Sequence, residues 1–191
     1  MLEKQSIRQE LGYATDDFII TNVAEISRSK NQIMLIKNLP VLKNYIPTVK
    51  VLLIGNDNYK TVRKLVDNMG LQSMVEFLGY RKDIDKLLAI SNVGFSASSR
   101  EGCAINIVES MASGLPIVCS NIRGHRDIII NGKNGFLFEL NEPQGMINSI
   151  IRLYEDKKLR EIISINNIID IQRFSIDEAL EKMIDIYMHV M

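Results

Sequence analysis

Apolar and polar positions along the chain fall into two alternating rhythms. Short apolar or β-branched runs occur at Phe18 to Ala24, Val49 to Ile54, Val75 to Leu78, Val93 to Ser96, Ile117-Val118 and Phe136-Leu137-Phe138. Runs of this length and composition predict buried strands. Between them, apolar residues recur at helical spacing. This predicts helices over residues 4–11, Gln32 to Tyr45, Tyr59 to Met69, Asp83 to Ser91 and Ile105 to Ala112. From Pro143 the pattern is helical to the end, with breaks near Asp156 and Arg173. Gly114 stands where a helix stop needs positive φ, and Pro116 prevents continuation before the next strand. Pro40 predicts a bend or an irregular end in the second helix. Asp83 precedes an amphipathic helix, so N-capping accounts for it.

Strands alternating with helices at this rhythm imply right-handed βαβ crossovers. The expected fold is an α/β, Rossmann-like three-layer α/β/α domain with a mostly parallel six-stranded sheet. In such sheets ligands bind outside the carboxyl ends of the strands, and Gly55, Gly79, Ala97 and Asn121 all fall just past those ends. Several loops therefore converge on one crevice.

Composition narrows the classes. With 191 residues, 46% apolar and 6% aromatic, the chain reads as one globular domain over residues 1–191. Lys+Arg and Asp+Glu balance at 23 each, so no global field would recruit nucleic acid or an anionic membrane, and any phosphate binding must be local. The two cysteines, Cys103 and Cys119, argue against a disulfide framework and suit a reducing compartment. Cys119 reads as a strand-core residue, and Cys103 as an incidental thiol without a nearby histidine. No apolar run approaches the roughly 18 residues of a membrane span, and Met1-Leu2-Glu3-Lys4-Gln5 is not a signal peptide. The expected location is cytoplasmic.

The densest chemistry lies between Ser96 and Ser120. Glu101 sits in the loop ahead of the helix and Glu109 inside it; helical side chains lean toward the N-terminus, so both border the same mouth. The first helical turn offers unpaired N–H groups and the positive end of the macrodipole, and Gly102 lets an anion approach closely. Two carboxylates beside an anion cradle would repel phosphate unless each accepts hydrogen bonds from hydroxyls. A ligand with phosphates in its middle and hydroxyl-rich rings at both ends, a nucleotide-diphospho-sugar, meets that demand. Other fingerprints are absent: no dinucleotide-binding Gly-x-Gly-x-x-Gly, no P-loop and no nucleophile elbow.

The Glu101-x7-Glu109 spacing, Gly114-Leu115-Pro116-Ile117-Val118, Asn121-Ile122-Arg123-Gly124-His125-Arg126-Asp127 and Asn131-Gly132-Lys133-Asn134-Gly135-Phe136 together resemble the retaining GT-B glycosyltransferases called glycosyl transferases group 1. The resemblance covers nearly the whole chain but only the carboxyl-terminal, donor-binding half of that fold. It implies that Glu101 holds hydroxyls of the donor sugar and Glu109 those of the ribose. The amides of Gly102, Cys103, Ala104 and Ile105 would meet the diphosphate, Lys30 would neutralise it, and Gly79 and Tyr80 would lie against the nucleobase. Glu25 stands where the family carries an arginine, and Arg28 is the candidate to compensate.

The resemblance further implies an NDP-sugar donor, UDP-linked, and no bound cation, so that Asp83-Ile84-Asp85 is not a metal motif. It implies a glycan or lipid-linked acceptor held by an N-terminal domain outside this chain, with residues 174–191 forming a helix that packs back on that domain. The isolated half is expected to be inactive. The Asn121 to Asp127 string is similar to bacterial capsule, exopolysaccharide and O-antigen enzymes, which leaves room for peripheral attachment at the inner membrane face. A non-catalytic nucleotide-binding or assembly module is the alternative, favoured by Glu25. His125 carries little weight as a catalytic base.

Overall fold

The computed structural model describes residues 2–175 together with Glu178, Leu180, Met183 and Ile184. The terminal helix expected over residues 174–191 therefore lies largely outside the described residues. The strands are β1 (Phe18–Val23), β2 (Val49–Ile54), β3 (Val75–Gly79), β4 (Val93–Ser96), β5 (Ile117–Ser120) and β6 (Gly135–Phe138). The helices are α1 (Leu2–Glu10), α2 (Ile33–Tyr45), α3 (Thr61–Asn68), α4 (Ile84–Ile90), α5 (Ile105–Ala112), α6 (Arg123–Arg126), α7 (Pro143–Glu155) and α8 (Lys157–Asp170). A 3-10 turn, Ile171–Phe174, follows α8. Among the described residues no helix is long and apolar enough to cross a membrane.

The sheet order is β3-β2-β1-β4-β5-β6, and every adjacent pair is parallel. Side chains alternate across a strand, so each strand feeds two layers. Phe18 and Ile20 join Leu35, Leu39, Leu42, Val66, Met146 and Ile150 in a core beneath α2, α3 and α7. Ile19 points the other way, toward Tyr13, Leu87 and Ile90 under α1 and α4. At the other flank Ile117 and Cys119 pack on Ile107 and Met111 of α5.

The chain moves outward from β1 to β3, then returns to β4 and moves outward in the opposite direction. Connections leaving β1 and β4 therefore diverge, and a crevice opens between their carboxyl ends. Arg8 fixes the opposite end. Its buried guanidinium donates to the carbonyls of Ile90, Thr15 and Asp17 and to Asn92 Oδ1.

Three local features are set by particular contacts. Helix α2 runs through Pro40 to Tyr45. Loss of one backbone bond and the ring clash cost about 3 kcal/mol. Burial of Leu35, Ile36, Leu39 and Leu42 along the same helix, at roughly 1.5–3 kcal/mol each, outweighs that. Asp83 makes no capping bond to α4; the adjacent Arg81 takes both its oxygens, at 2.8 and 2.6 Å. A guanidinium presenting paired donors outcompetes a single amide. The short α6 has no counterpart in the apolar periodicity.

Gly55, just past β2, has φ +145°, and a Cβ there would lie 2.2 Å from the carbonyl oxygen of Ala24. Only glycine lets the segment leaving β1 pass so close to β2. Gly55→Ala is expected to lower unfolding stability by roughly 2–4 kcal/mol, read by urea denaturation. A loss below ~0.5 kcal/mol would contradict this account of the close approach.

Candidate active site at the carboxyl edge of the sheet

The loop after β1 is built as an extension of the sheet. Ala24 N–H donates to Ile54 O and Ile26 N–H to Asn56 O, with Ile26 buried. The chain then turns through Ser27 to Asn31, which takes φ +52°. Two buried amides hold this turn: Gln32 Nε2 donates to Asn22 Oδ1 at 3.0 Å and to Glu25 O at 2.9 Å, while Asn22 Nδ2 donates to Phe95 O at 2.8 Å. One hydrogen-bonded strut thus joins β1, the start of α2 and β4.

The loop after β4 meets that turn directly. Ser99 N–H donates to Ser29 O at 2.8 Å. Lys30 Nζ lies 2.6 Å from Glu101 Oε1, with side-chain exposures of 23% and 10%, and Ser98 Oγ donates to the same oxygen at 2.7 Å. Oε1 is therefore doubly occupied. Oε2 has no hydrogen bond among the described residues, and neither do the remaining N–H groups of Lys30. Burial pushes the Glu101 carboxyl upward, but hydrogen bonds from Lys30 and Ser98 and the ammonium charge outweigh it. The group is held below the usual carboxylate value.

Beyond Glu101, the N–H groups of Gly102, Cys103 and Ala104 have no protein acceptor among the described residues, whereas that of Ile105, also expected to meet the diphosphate, donates to Cys103 O at 3.1 Å; α5 starts without a side-chain cap. A Cβ on Gly102 would meet no protein atom within 4 Å. Cys103 and Ile105 are exposed and Ala104 is buried. Cys119 is wholly buried, and burial pushes its thiol up.

Glu109, Glu25, Gly55, Tyr80, Arg81 and Lys82 line a cavity of about 510 Å³ over the carboxyl ends of β1, β2 and β3. Tyr80 is exposed on its rim, following Gly79 at φ +63°. The crevice thus has a nucleoside-sized cavity on one side and the Lys30–Glu101 pair on the other, with the mouth of α5 supplying both Glu109 and the free amides. Arg28 is exposed and does not line the cavity. Glu25 does line it, so the wall carries a carboxylate where the family pattern has a cation. A larger cavity, about 690 Å³, lies at the opposite edge of the sheet among Lys4, Ser91, Pro116 and Arg160 and shares none of these residues.

Sequence reasoning missed Ser98, Asn22 and Gln32. The available signal was a polar residue inside an apolar strand, Asn22, with a buried amide ten positions on. His125 is buried behind the crevice.

The depressed Glu101 carboxyl has a defined pH signature. A group whose folded value lies below its unfolded value stabilises the fold above the unfolded range, and that stabilisation is lost as pH falls through the folded value. Between about pH 7 and about pH 3 the wild type is therefore expected to lose more stability than Glu101→Gln, measured by urea unfolding. Parallel acid limbs would refute it.

Residues 3–169 match the family model Glycosyl transferases group 1. The chain is 33% identical over 187 residues to EpsD of Bacillus subtilis strain 168, itself provisionally named a glycosyltransferase, covering 97% of this chain and 49% of that protein. It is 32% identical over 189 residues to the UDP-Gal:alpha-D-GlcNAc-diphosphoundecaprenol alpha-1,3-galactosyltransferase of Escherichia coli, covering 93% and 47%. The crystal structure of Anabaena HepE in complex with UDP-glucose superposes with a TM-score of 0.88 at 28% identity, covering 98% of this chain and 53% of that one. The chain spans about half the length of these relatives. A family match that runs through both crevice loops and the parallel sheet beneath them means that the chain belongs to the glycosyl transferases group 1 family, with a Rossmann-like domain of GT-B type.

Proposed function

We propose that this chain is the donor-binding half of a retaining glycosyltransferase that takes an NDP-sugar, UDP-linked, and passes its hexose to a glycan or lipid-linked acceptor held by a second domain. The observation that carries the reading is the Lys30–Glu101 pair set across the switch point beside three unpaired N–H groups. Related structures support the choice of nucleotide, since HepE was crystallised with UDP and with UDP-glucose.

In this reading the nucleoside occupies the 510 Å³ cavity, with its ribose hydroxyls on Glu109 and its base against Gly79 and Tyr80. The diphosphate lies over the N–H groups of Gly102 to Ala104 and takes the free donors of Lys30. Glu101 Oε2 accepts from the sugar. As the bond from the anomeric carbon to the β-phosphate breaks, negative charge grows on the leaving diphosphate. Preorganised amides and an ammonium stabilise that charge without reorganising. No protein nucleophile and no bound cation are required. Peripheral attachment at the inner membrane face belongs to the same proposal, as the site at which a lipid-linked acceptor would be met.

Calorimetric titration with UDP tests the binding roles. Lys30→Ala should weaken UDP binding by about tenfold or more, and Glu109→Ala by about tenfold, the scale of hydrogen bonds to charged groups. Unchanged affinity in both variants would overturn the reading.

A second reading, a nucleotide-binding module without transfer activity, is favoured by Glu25. Its exposed carboxylate shares the cavity wall with Glu109 and opposes a diphosphate. Glu25→Arg removes that opposition and adds a paired donor, so UDP affinity should rise roughly tenfold. If the full-length protein shows no sugar transfer from UDP-sugars until that substitution is made, the second reading holds for the natural chain.

A further inference from the structure

Behind Glu101, Ser98 connects to buried polar groups with no part in the roles given above. His125, on α6, is completely buried. Its Nδ1 is 2.8 Å from Ser120 O, which can only accept, so Nδ1 carries a proton. Its Nε2 is 3.3 Å from Ser96 Oγ, which is 3.3 Å from Ser98 Oγ, which in turn donates to Glu101 Oε1 at 2.7 Å. Ser96, Ser98 and Ser120 are at most 1% exposed.

The same short helix also grips the Glu101 backbone. A Cβ on Gly124 would stand 2.6 Å from Glu101 O and 2.9 Å from its Cβ. Helix α6 therefore meets Glu101 twice, at the main chain through Gly124 and at the carboxylate through His125 and two serines.

Counting hydrogens shows what this chain lacks. Each serine has one hydroxyl hydrogen. With His125 neutral, Ser96 gives its hydrogen to Nε2 and Ser98 gives its own to Glu101, so none lies between the two serines. With His125 protonated, Nε2–H donates to Ser96, Ser96 to Ser98 and Ser98 to Glu101, and every link is filled in one direction.

Burial holds the free histidine toward neutrality. Of the charges facing it, Glu101 from the β4 loop favours the cation and Lys30 from the β1 loop opposes it. β5 presents only Ser120 and its carbonyl, and Arg123 and Arg126 of α6 itself are exposed. A diphosphate on Lys30 neutralises the opposing charge and adds negative charge of its own.

We propose that His125 is a positioning residue for Glu101 which takes up a proton from solvent when a diphosphate docks on Lys30, completing a one-way hydrogen-bond chain through Ser96 and Ser98. The completed chain pins Oε1 and leaves Oε2 aimed at the donor sugar. The inference rests on the donor-site reading above.

The test is calorimetry of the 191-residue chain with UDP-glucose, UDP-galactose and UDP-N-acetylglucosamine near pH 6, in buffers of different ionisation enthalpy. These donors lack the terminal phosphate whose own titration, near pH 6, would confuse the proton count with UDP. Wild type should take up a substantial fraction of one proton, and its affinity should rise by up to about tenfold from pH 7.5 to pH 5.5.

His125→Asn keeps a donor toward Ser120 but cannot reach Ser96, and should bind without proton uptake and with a flat pH profile. Ser96→Ala, a smaller change, should reduce the uptake with thermal stability nearly intact. Nitrogen-15 NMR of the imidazole provides the direct readout, since the chain has only two histidines. Binding without proton uptake in wild type, or uptake that persists in His125→Asn, overturns this proposal alone. Absence of binding for all three donors overturns the donor-site reading and this proposal with it.

Discussion

The contact on which the rest of the site depends is the ion pair between Lys30 and Glu101. It joins the loops leaving β1 and β4, the two strands from which the chain diverges in opposite directions. Beside it the two loops are joined directly by the Ser29–Ser99 bonds. Its strength comes from position. At 23% and 10% side-chain exposure, neither charge is fully hydrated, so separating them leaves a poorly solvated carboxylate and ammonium. Ser98 satisfies one more lone pair of the carboxylate, and the Gln32–Asn22–Phe95 strut holds the turn that presents Lys30.

Parts of the fold were legible locally. The runs Val49 to Ile54 and Val93 to Ser96 coincide with β2 and β4, because a strand buried on both faces needs continuous apolar residues and little else can place them. The parallel sheet followed from strand–helix alternation. Helix α2 runs to Tyr45 with Pro40 inside it, as its apolar spacing predicts. Legibility failed where a particular contact, and not a periodic pattern, decided the outcome. Asp83 faces Arg81 rather than the start of α4. Helix α6 is four residues long, too short to register a period, and its placement is set by contact with Glu101 rather than by apolar spacing.

The site divides the same way. Glu101, Lys30 and Glu109 stand in a spacing that the family resemblance makes readable, and they fall around one crevice. Arg28 does not join them: it is exposed on the turn and lies outside the cavity lining. The serines could not have been read. Ser96, Ser98 and Ser120 are ordinary residues at strand ends, and their meaning comes from a histidine 29 positions after the first of them. Polar networks of this kind are assembled by topology, which brings β4, β5 and α6 together, and leave no mark on local pattern.

The acids around the crevice explain why a site with so little net positive charge can suit an anion. Lys30 is already paired, and Glu25 and Glu109 line the neighbouring wall. Inorganic phosphate arriving here would meet carboxylates on both sides and gain nothing from them. A ligand that carries hydroxyls on either side of its phosphates converts those same carboxylates into acceptors, and only then do the free amides of Gly102 to Ala104 act without opposition. On the donor-site reading proposed above, discrimination would arise from repulsion of the wrong anion as much as attraction of the right one. On the same reading, Lys30 would keep its pairing with Glu101 Oε1 while its remaining donors met the diphosphate and the carboxylate's other oxygen met a hydroxyl.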